Sequence, residues 1–297
     1  MNNKIEKDVL DKIDSTSLQM TDRAGRDVHY IDDTSALQIA QESSLTVCDV
    51  YREALKRGIY PYRYVRNRDV ISPKEQITLA SSKIAVVGAG GLGGHVIQLL
   101  ARIGVGHLVV VDYDVFDETN LNRQAFSSGD VLGKSKTSVV ADQIEKINRG
   151  VELTTFQEKI DSSNASTILK GCDVAVDALD NIDDRFILEE ASKRLGIPLV
   201  HGALAGFEGR IMTIFPGDAG MKLLYENGHE EQDVKARAES TLGVPAITPS
   251  IIATYQAMEV IKIVLNRGEP FRNMMVYFDL ENGSIEKFLF QEETTEE

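Results

Sequence analysis

This 297-residue chain has no tryptophan, two cysteines, seven prolines and only 6% aromatic residues. Two cysteines, Cys48 and Cys172, make neither a disulfide framework nor a four-cysteine zinc site. Cys172 directly precedes the apolar run Val174 to Ala178, which reads as buried packing rather than a nucleophile. No apolar run approaches the roughly 18 residues that a membrane helix needs. The N-terminus, M-N-N-K-I-E-K-D, has no apolar signal region, so a cytoplasmic protein without a membrane partner is expected. Positive charge is also scarce: 32 Lys and Arg stand against 46 Asp and Glu, a formal net charge of -14. That balance argues against a broad nucleic-acid or anionic-membrane surface and leaves room for a local basic pocket.

At 42% hydrophobic and 26% charged, the chain can bury one large core, and one α/β unit with appendages is the expected organisation. Its centre is Lys83 to Arg123. Ile84 to Val87 is a β-branched strand run, followed by Gly88, Gly90 and Gly93 in the spacing G-x-G-x-x-G. The helix expected from Leu92 to Ile103 would aim its free N–H groups at an anion. His107 to Val111 is the next strand. Asp112 and Asp114 follow its carboxyl end, where ligands of open α/β sheets sit and where a carboxylate can accept both ribose hydroxyls. The pattern points to a nucleotide and does not say which. A tight turn with no ligand is the alternative.

Polar candidates surround this unit. Asn120, Asn122, Arg123 and Gln124 follow the ribose position closely enough for a phosphate contact. Gly133-Lys134-Ser135-Lys136 opens a helix to about Asn148, and two lysines in a first turn oppose the helix dipole unless an anion is held there. A fourth strand, Asp173 to Ala178, ends at Leu179-Asp180-Asn181. Asp180 suits Mg²⁺ beside a triphosphate, or the N-cap of a helix Asp184 to Leu195. Tyr60 to Arg68 packs three tyrosines among three arginines and reads as a solvated basic segment or as an arm reaching a phosphate.

The remaining chain supplies the frame. Residues 1–60 are expected to be a helical N-terminal extension, partly mobile, with one helix over Thr34 to Arg57. Residues 61–297 are expected to form one domain with further strands at Glu152 to Gln157, Leu199 to Ala203 and, antiparallel, Gly209 to Phe215. Residues 216–249 look like an irregular functional loop or lid. Ile251 to Leu265 is an apolar helix, and a hairpin turns about Glu281-Asn282-Gly283. The five histidines have no metal-binding spacing, and His201 reads as a structural residue. The fold class is thus α/β, Rossmann-like, with a mostly parallel sheet, helices on both faces and antiparallel strands toward the C-terminus.

From about Arg63 to Gln291 the chain resembles the ThiF/MoeB/HesA adenylyltransferases, relatives of ubiquitin-activating enzyme. The resemblance rests on an ordered set: R-Y-V-R-N, G-A-G-G-L-G, D-Y-D, N-L-N-R-Q, G-K-S-K, D-A-L-D-N-I-D-D-R and Q-A-M-E-V-I-K. It implies ATP at Gly91, Asp112, Asn120, Arg123, Lys136, Asp180 and Asn181, with Mg²⁺ on Asp180. It further implies a homodimer in which Arg66 enters the other subunit's site. The implied reaction joins a carboxylate, typically the C-terminal glycine of a small ubiquitin-like carrier ending in Gly-Gly, to AMP and releases pyrophosphate. Two departures stand out. Many relatives carry two C-x-x-C zinc pairs and a cysteine in the crossing segment, and here neither exists, so an enzyme-bound thioester or persulfide is not expected.

Three rivals remain at this level. A nicotinamide-dependent oxidoreductase shares the glycine motif and the acid, but leaves Arg123, Lys136 and Asp180 without a common purpose. Adenylation of a carboxylate on a modified tRNA base, a small molecule or a peptide keeps the same site. A module that binds ATP without turning it over predicts no effect of Asp180→Ala.

Overall fold

The computed structural model describes residues 7–225 and 242–290. Its main sheet has eight strands. Five are parallel: β4 (Lys83–Val87), β5 (His107–Val111), β6 (Glu152–Phe156), β7 (Val174–Asp177) and β8 (Leu199–Ala205). The chain then turns back in β9 (Glu208–Ile214), β10 (Met274–Asp279) and β11 (Ser284–Leu289), each antiparallel to its predecessor in the sheet. The spatial order is β11-β10-β9-β8-β7-β4-β5-β6. Strand order reverses between β4 and β7, and a ligand crevice opens outside the carboxyl ends at such a point.

Continuous apolar strands suit a sheet covered on both faces. Val86, Leu108, Val110, Val174 and Val176 face one layer with α5 (Gly91–Ile103), α6 (Lys136–Ile147) and the last helix, α9 (Ile247–Leu265). Val87, Val109, Val111 and Ala175 face the other, against α7 (Ala165–Ile168) and α8 (Ile182–Leu195). The last helix starts earlier than its apolar run, at Ile247, and in its first turn the Thr248 hydroxyl donates to Gly206 O at 2.7 Å.

Ahead of the sheet lies a module with its own core, which includes Ile13, Ile31, Val50, Tyr51 and Tyr64. It is not purely helical. Between α1 (Lys7–Thr16) and α2 (Asp33–Ser43) comes a hairpin of β1 (Leu18–Thr21) and β2 (Asp27–Ile31), and β3 (Tyr60–Pro61) pairs parallel to β2. The helix expected over Thr34 to Arg57 is two helices. Ser44 adopts φ 52°, and Thr46 opens α3 (Val47–Lys56) with a capping box to Asp49. Residues 7–31 thus form a helix and a hairpin, and the first six residues of the extension lie outside the described residues.

The module docks under the amino ends of the parallel strands. Cys48 lies 3.4 Å from Ala80 O, just before β4, and Asn148, before β6, donates to Tyr64 Oη at 2.7 Å. α4 (Pro73–Ser81) leads directly into β4, with Pro73 at its first turn and Ser72 and Glu75 as a capping box. A parallel strand rises about 3.3 Å per residue, so the module sits roughly 15 Å from the strand tips.

Candidate active site

At the tip of β4 the glycines divide by duty. Gly88 has φ +96°, and a Cβ there would lie 2.5 Å from Ala178 O; a Cβ on Gly93 would lie 1.8 Å from Gly88 O. These two permit close packing of turn, helix and β7. Gly90 and Gly91 would meet only side chains of Gln124 and Arg123, at 3.7 and 3.3 Å. Their backbone therefore faces the cleft, at the N-terminus of α5, where free N–H groups favour an anion.

Asp112 follows β5 and organises this turn. Its Oδ2 accepts from Ala89 N at 2.7 Å and its Oδ1 from Asp114 N at 2.8 Å. Each carboxylate oxygen keeps a further lone pair for a donor from a ligand. The loop then closes back on itself. Val115 bridges Ser135, and Lys136 N donates to Asp114 O at 3.0 Å. The Lys136 ammonium, buried at 5% exposure, meets Asp114 Oδ2 at 2.9 Å. Only Lys136 belongs to the first turn of α6, since Lys134 precedes it. The expectation of two helix-turn lysines is corrected accordingly: Asp114 supplies the counter-charge for one buried lysine.

Asn120 and Arg123 sit on a short turn that Asp117 and Asn120 cap reciprocally. Arg123 Nη1 donates to Thr119 O and Asn122 Oδ1 at 2.9 and 2.8 Å, which fixes one edge of the guanidinium. Gln124 is buried, and its Oε1 has no hydrogen-bond partner among the described residues. A buried polar atom left open in a cleft suits a ligand donor or an ordered water.

Across the switch point, β7 ends at Asp177 and a turn carries Asp180 to the surface. The helix behind it starts at Ile182 and not at Asp184, and its N-cap is Asn181, whose side chain accepts from Asp184 N at 2.9 Å. Asp180 is therefore relieved of the capping role considered for it. Asn181 Nδ2 approaches its Oδ1 at 3.4 Å.

These residues line one cleft of about 460 Å³, within the roughly 300–1,000 Å³ of small-molecule sites. Gly88, Gly90, Gly91, Asp112, Asp114, Asn120, Arg123, Gln124, Lys136 and Asp180 are all on its wall. Gly93 and Asn181 lie behind it, supporting it through packing and capping. Arg66 is exposed and does not line the cleft of its own chain. Its two neighbours are committed: Arg63 pairs with Asp33, and Arg68 with Asp22. Sequence reading missed Tyr113, Lys159, Ile160 and Arg185, which line the same cleft. Lys159 pairs with Asp184 at 3.2 Å. The signal for Arg185 was its place in D-N-I-D-D-R, one helical turn after Asn181.

Neither cysteine is near this chemistry. Burial pushes Cys48 up to about 12 and Cys172 up to about 11, so both stay protonated thiols. Among the described residues no group of acids, histidines or cysteines is arranged to hold a metal by itself, and no helix is long and apolar enough to cross a membrane.

The family model described as ThiF family matches residues 64–297. The chain belongs to the ThiF family. It is an adenylyltransferase, like the relatives whose names state an activity of that kind. It is 37% identical over 226 residues to SAMP-activating enzyme E1 of Haloferax volcanii, covering 75% of this chain and 83% of that one. It is 31% identical over 223 residues to the sulfur carrier protein adenylyltransferase of Thermus thermophilus, covering 73% and 82%. Against adenylyltransferase and sulfurtransferase MOCS3 of Arabidopsis thaliana, identity is 31% over 258 residues, and the match spans only 54% of that longer protein. The fold of this ThiF-family chain is shared with E. coli MccB solved with AMPCPP and MccA, at TM-score 0.68 and 21% identity over 88% of this chain and 84% of that one. The family match starts at Tyr64, so most of the N-terminal module lies outside it.

Proposed function

We propose that this ThiF-family adenylyltransferase uses MgATP to activate the C-terminal carboxylate of a small ubiquitin-like sulfur carrier as an acyl-adenylate, releasing pyrophosphate. One observation carries this reading: Arg123, Lys136 and Asp180, from three separate segments, line the same cleft as the open glycines Gly90 and Gly91. Two cations and a carboxylate around an N-terminal helix turn fit a triphosphate with a divalent ion, and a nicotinamide has no use for them. The unpartnered Gln124 oxygen and the uncrowded Gly90 and Gly91 leave polar and steric room for the nucleotide.

In this reading Asp112 accepts from the ribose hydroxyls, Asn120 and Gln124 line the nucleotide, and Arg123 and Lys136 take the phosphate oxygens. Asp114 keeps the Lys136 ammonium in place. Asp180 would hold Mg²⁺, which when bound supplies neutralisation that two cations leave incomplete on a triphosphate. A carboxylate oxygen of the carrier attacks the α-phosphorus, the bond from that phosphorus to the bridging oxygen breaks, and pyrophosphate leaves. The attacking carboxylate is already ionised, so no general base is required. The protein's work is to hold two anions together and stabilise charge in the transferring group.

With both cysteines buried and protonated, the reaction at this cleft ends at the acyl-adenylate, and an external sulfur nucleophile completes any transfer. Arg66 lies near the amino ends of the strands and would act only in a second copy's cleft, as a homodimer allows. The test is exchange of labelled pyrophosphate into ATP. A carrier ending in Gly-Gly should support exchange, and the same carrier with its last glycine amidated should not. Exchange supported instead by tRNA, or binding of NAD in place of ATP, overturns the reading.

A further inference from the structure

Behind Asp180 lies a group of charged residues that no step above uses. Asp177 and His201 are completely buried, and Arg185 is buried at 4% exposure. Burying a guanidinium and a carboxylate is costly unless they are paired and hydrogen-bonded. Here the charges balance. Arg185 Nε stands 3.7 Å from Asp177 Oδ2, and His201 Nδ1 donates to the same oxygen at 2.7 Å.

Arg185 Nη1 also donates to Tyr225 Oη at 3.2 Å, and the other bonds of the cluster converge on one turn. Asp177 Oδ1 accepts from Leu179 N at 3.0 Å, while Arg185 Nη2 donates to Leu179 O. The peptide groups on both sides of Leu179 are thus fixed by the buried pair. Gln256, on α9, adds a bond from Nε2 to Asp177 O at 2.8 Å, and Ala178 N donates to Val87 O at 2.9 Å. Asp180 is the next residue. It is exposed, and among the described residues its carboxylate has only the long approach from Asn181 to steady it. A metal-binding carboxylate must be held within about 0.5 Å of its working place, so its backbone has to be fixed from elsewhere.

We infer that Arg185, anchored by Asp177 and His201, is the positioning residue for Asp180 and acts through the Leu179 carbonyl. The inference rests on the proposed role of Asp180 for its catalytic consequence, but not for its structural one. Arg185 also reaches the cleft wall, but its assigned work is done through the bond to Leu179 O and not on the phosphates or the metal. It converts a flexible strand-end turn into a fixed platform for the metal ligand.

Arg185→Lys tests this, because it keeps the positive charge beside Asp177 and shortens the reach to Leu179 O. Two readouts are taken. In the nucleotide-free protein, amide hydrogen exchange at 178–181 should quicken about tenfold or more while the sheet amides stay as in wild type. In pyrophosphate exchange, the Mg²⁺ concentration at half-maximal rate should rise about tenfold, with ATP affinity measured without Mg²⁺ unchanged. Unchanged exchange at 178–181 overturns the inference. So does a loss of rate with the same Mg²⁺ half-saturation, which marks a role in general stability only. If Arg185→Lys fails to fold, Arg185→Gln combined with Asp177→Asn removes both charges, and the same two readouts apply. Failure of the function proposal looks different: wild type then gives no pyrophosphate exchange, while the turn still loosens in Arg185→Lys.

Discussion

Single residues in this site are constrained to different degrees, and the glycines make this measurable. Gly93 has no space for a side chain, with the Gly88 carbonyl 1.8 Å from a virtual Cβ. Gly91 faces the flexible Arg123 side chain at 3.3 Å. Gly93→Ala should therefore lower stability by about 1–3 kcal/mol or more, as overpacking does, and should remove ATP binding. Gly91→Ala should fold with nearly wild-type stability and weaken ATP by crowding Arg123. Thermal unfolding and ATP titration of both variants check this, and equal stability loss would contradict the division of roles. G-x-G-x-x-G announced these positions but not their different duties, because which glycine touches backbone and which faces a ligand depends on β7, some 85 residues away.

Among elements, the parallel strands were the most legible part of the chain, since apolar runs such as Ile84 to Val87 and His107 to Val111 leave few alternatives. The N-terminal hairpin was not legible: Leu18–Thr21 is largely exposed, so it lacks the alternation that marks a half-buried strand. The break between α2 and α3 was written in Thr46 and Asp49, three apart, and was masked by the apolar positions on either side. In the site, polar segments between the strands announced Arg123, Lys136 and Asp180, whereas Asp177 and His201 were hidden inside strands. Their neighbours come from β7, β8 and α8, and only the packed sheet brings them together.

That strand-borne cluster has a pH signature. Burial holds His201 below the ordinary histidine range against the opposing pull of Asp177, with Arg185 and Arg210 lowering it further and the Tyr225 ring packed beside it. The folded chain keeps this histidine neutral, while the unfolded chain binds a proton as pH falls below about 6.5. The stability it contributes is present above that pH and is lost as pH falls. His201→Gln should flatten the decline of stability between about pH 7 and pH 5, leaving the slopes of His95 and His107, which burial also lowers. Denaturant unfolding across that range checks it. An unchanged slope would mean that His201 is charged in the folded protein.

For the whole molecule, the consequential feature is the distance between the two ends of the sheet. The N-terminal module and Arg66 lie at the amino ends, and the cleft lies at the carboxyl ends. Arg63 and Arg68 are tied to Asp33 and Asp22, which leaves Arg66 as the arginine of its segment able to serve a second copy. Arg66→Ala and Asp180→Ala proteins should each be inactive alone. After mixing and subunit exchange, half the dimers would pair one of each and hold one intact site, so activity should return to about a quarter of wild type. Gel filtration and pyrophosphate exchange on the mixture check this. Mixed dimers without recovered activity would show that Arg66 does not act across the interface.

We propose that the cleft beyond β4, β5 and β7 takes a triphosphate and a divalent ion that together activate a carboxylate. Mg²⁺-dependent exchange of labelled pyrophosphate into ATP, compared between wild type and Asp180→Ala, tests it most directly. Carrier-dependent exchange is expected in the wild type, with its loss, by at least about a hundredfold, in an Asp180→Ala protein that unfolds at the wild-type temperature. Undiminished exchange in that variant would contradict it.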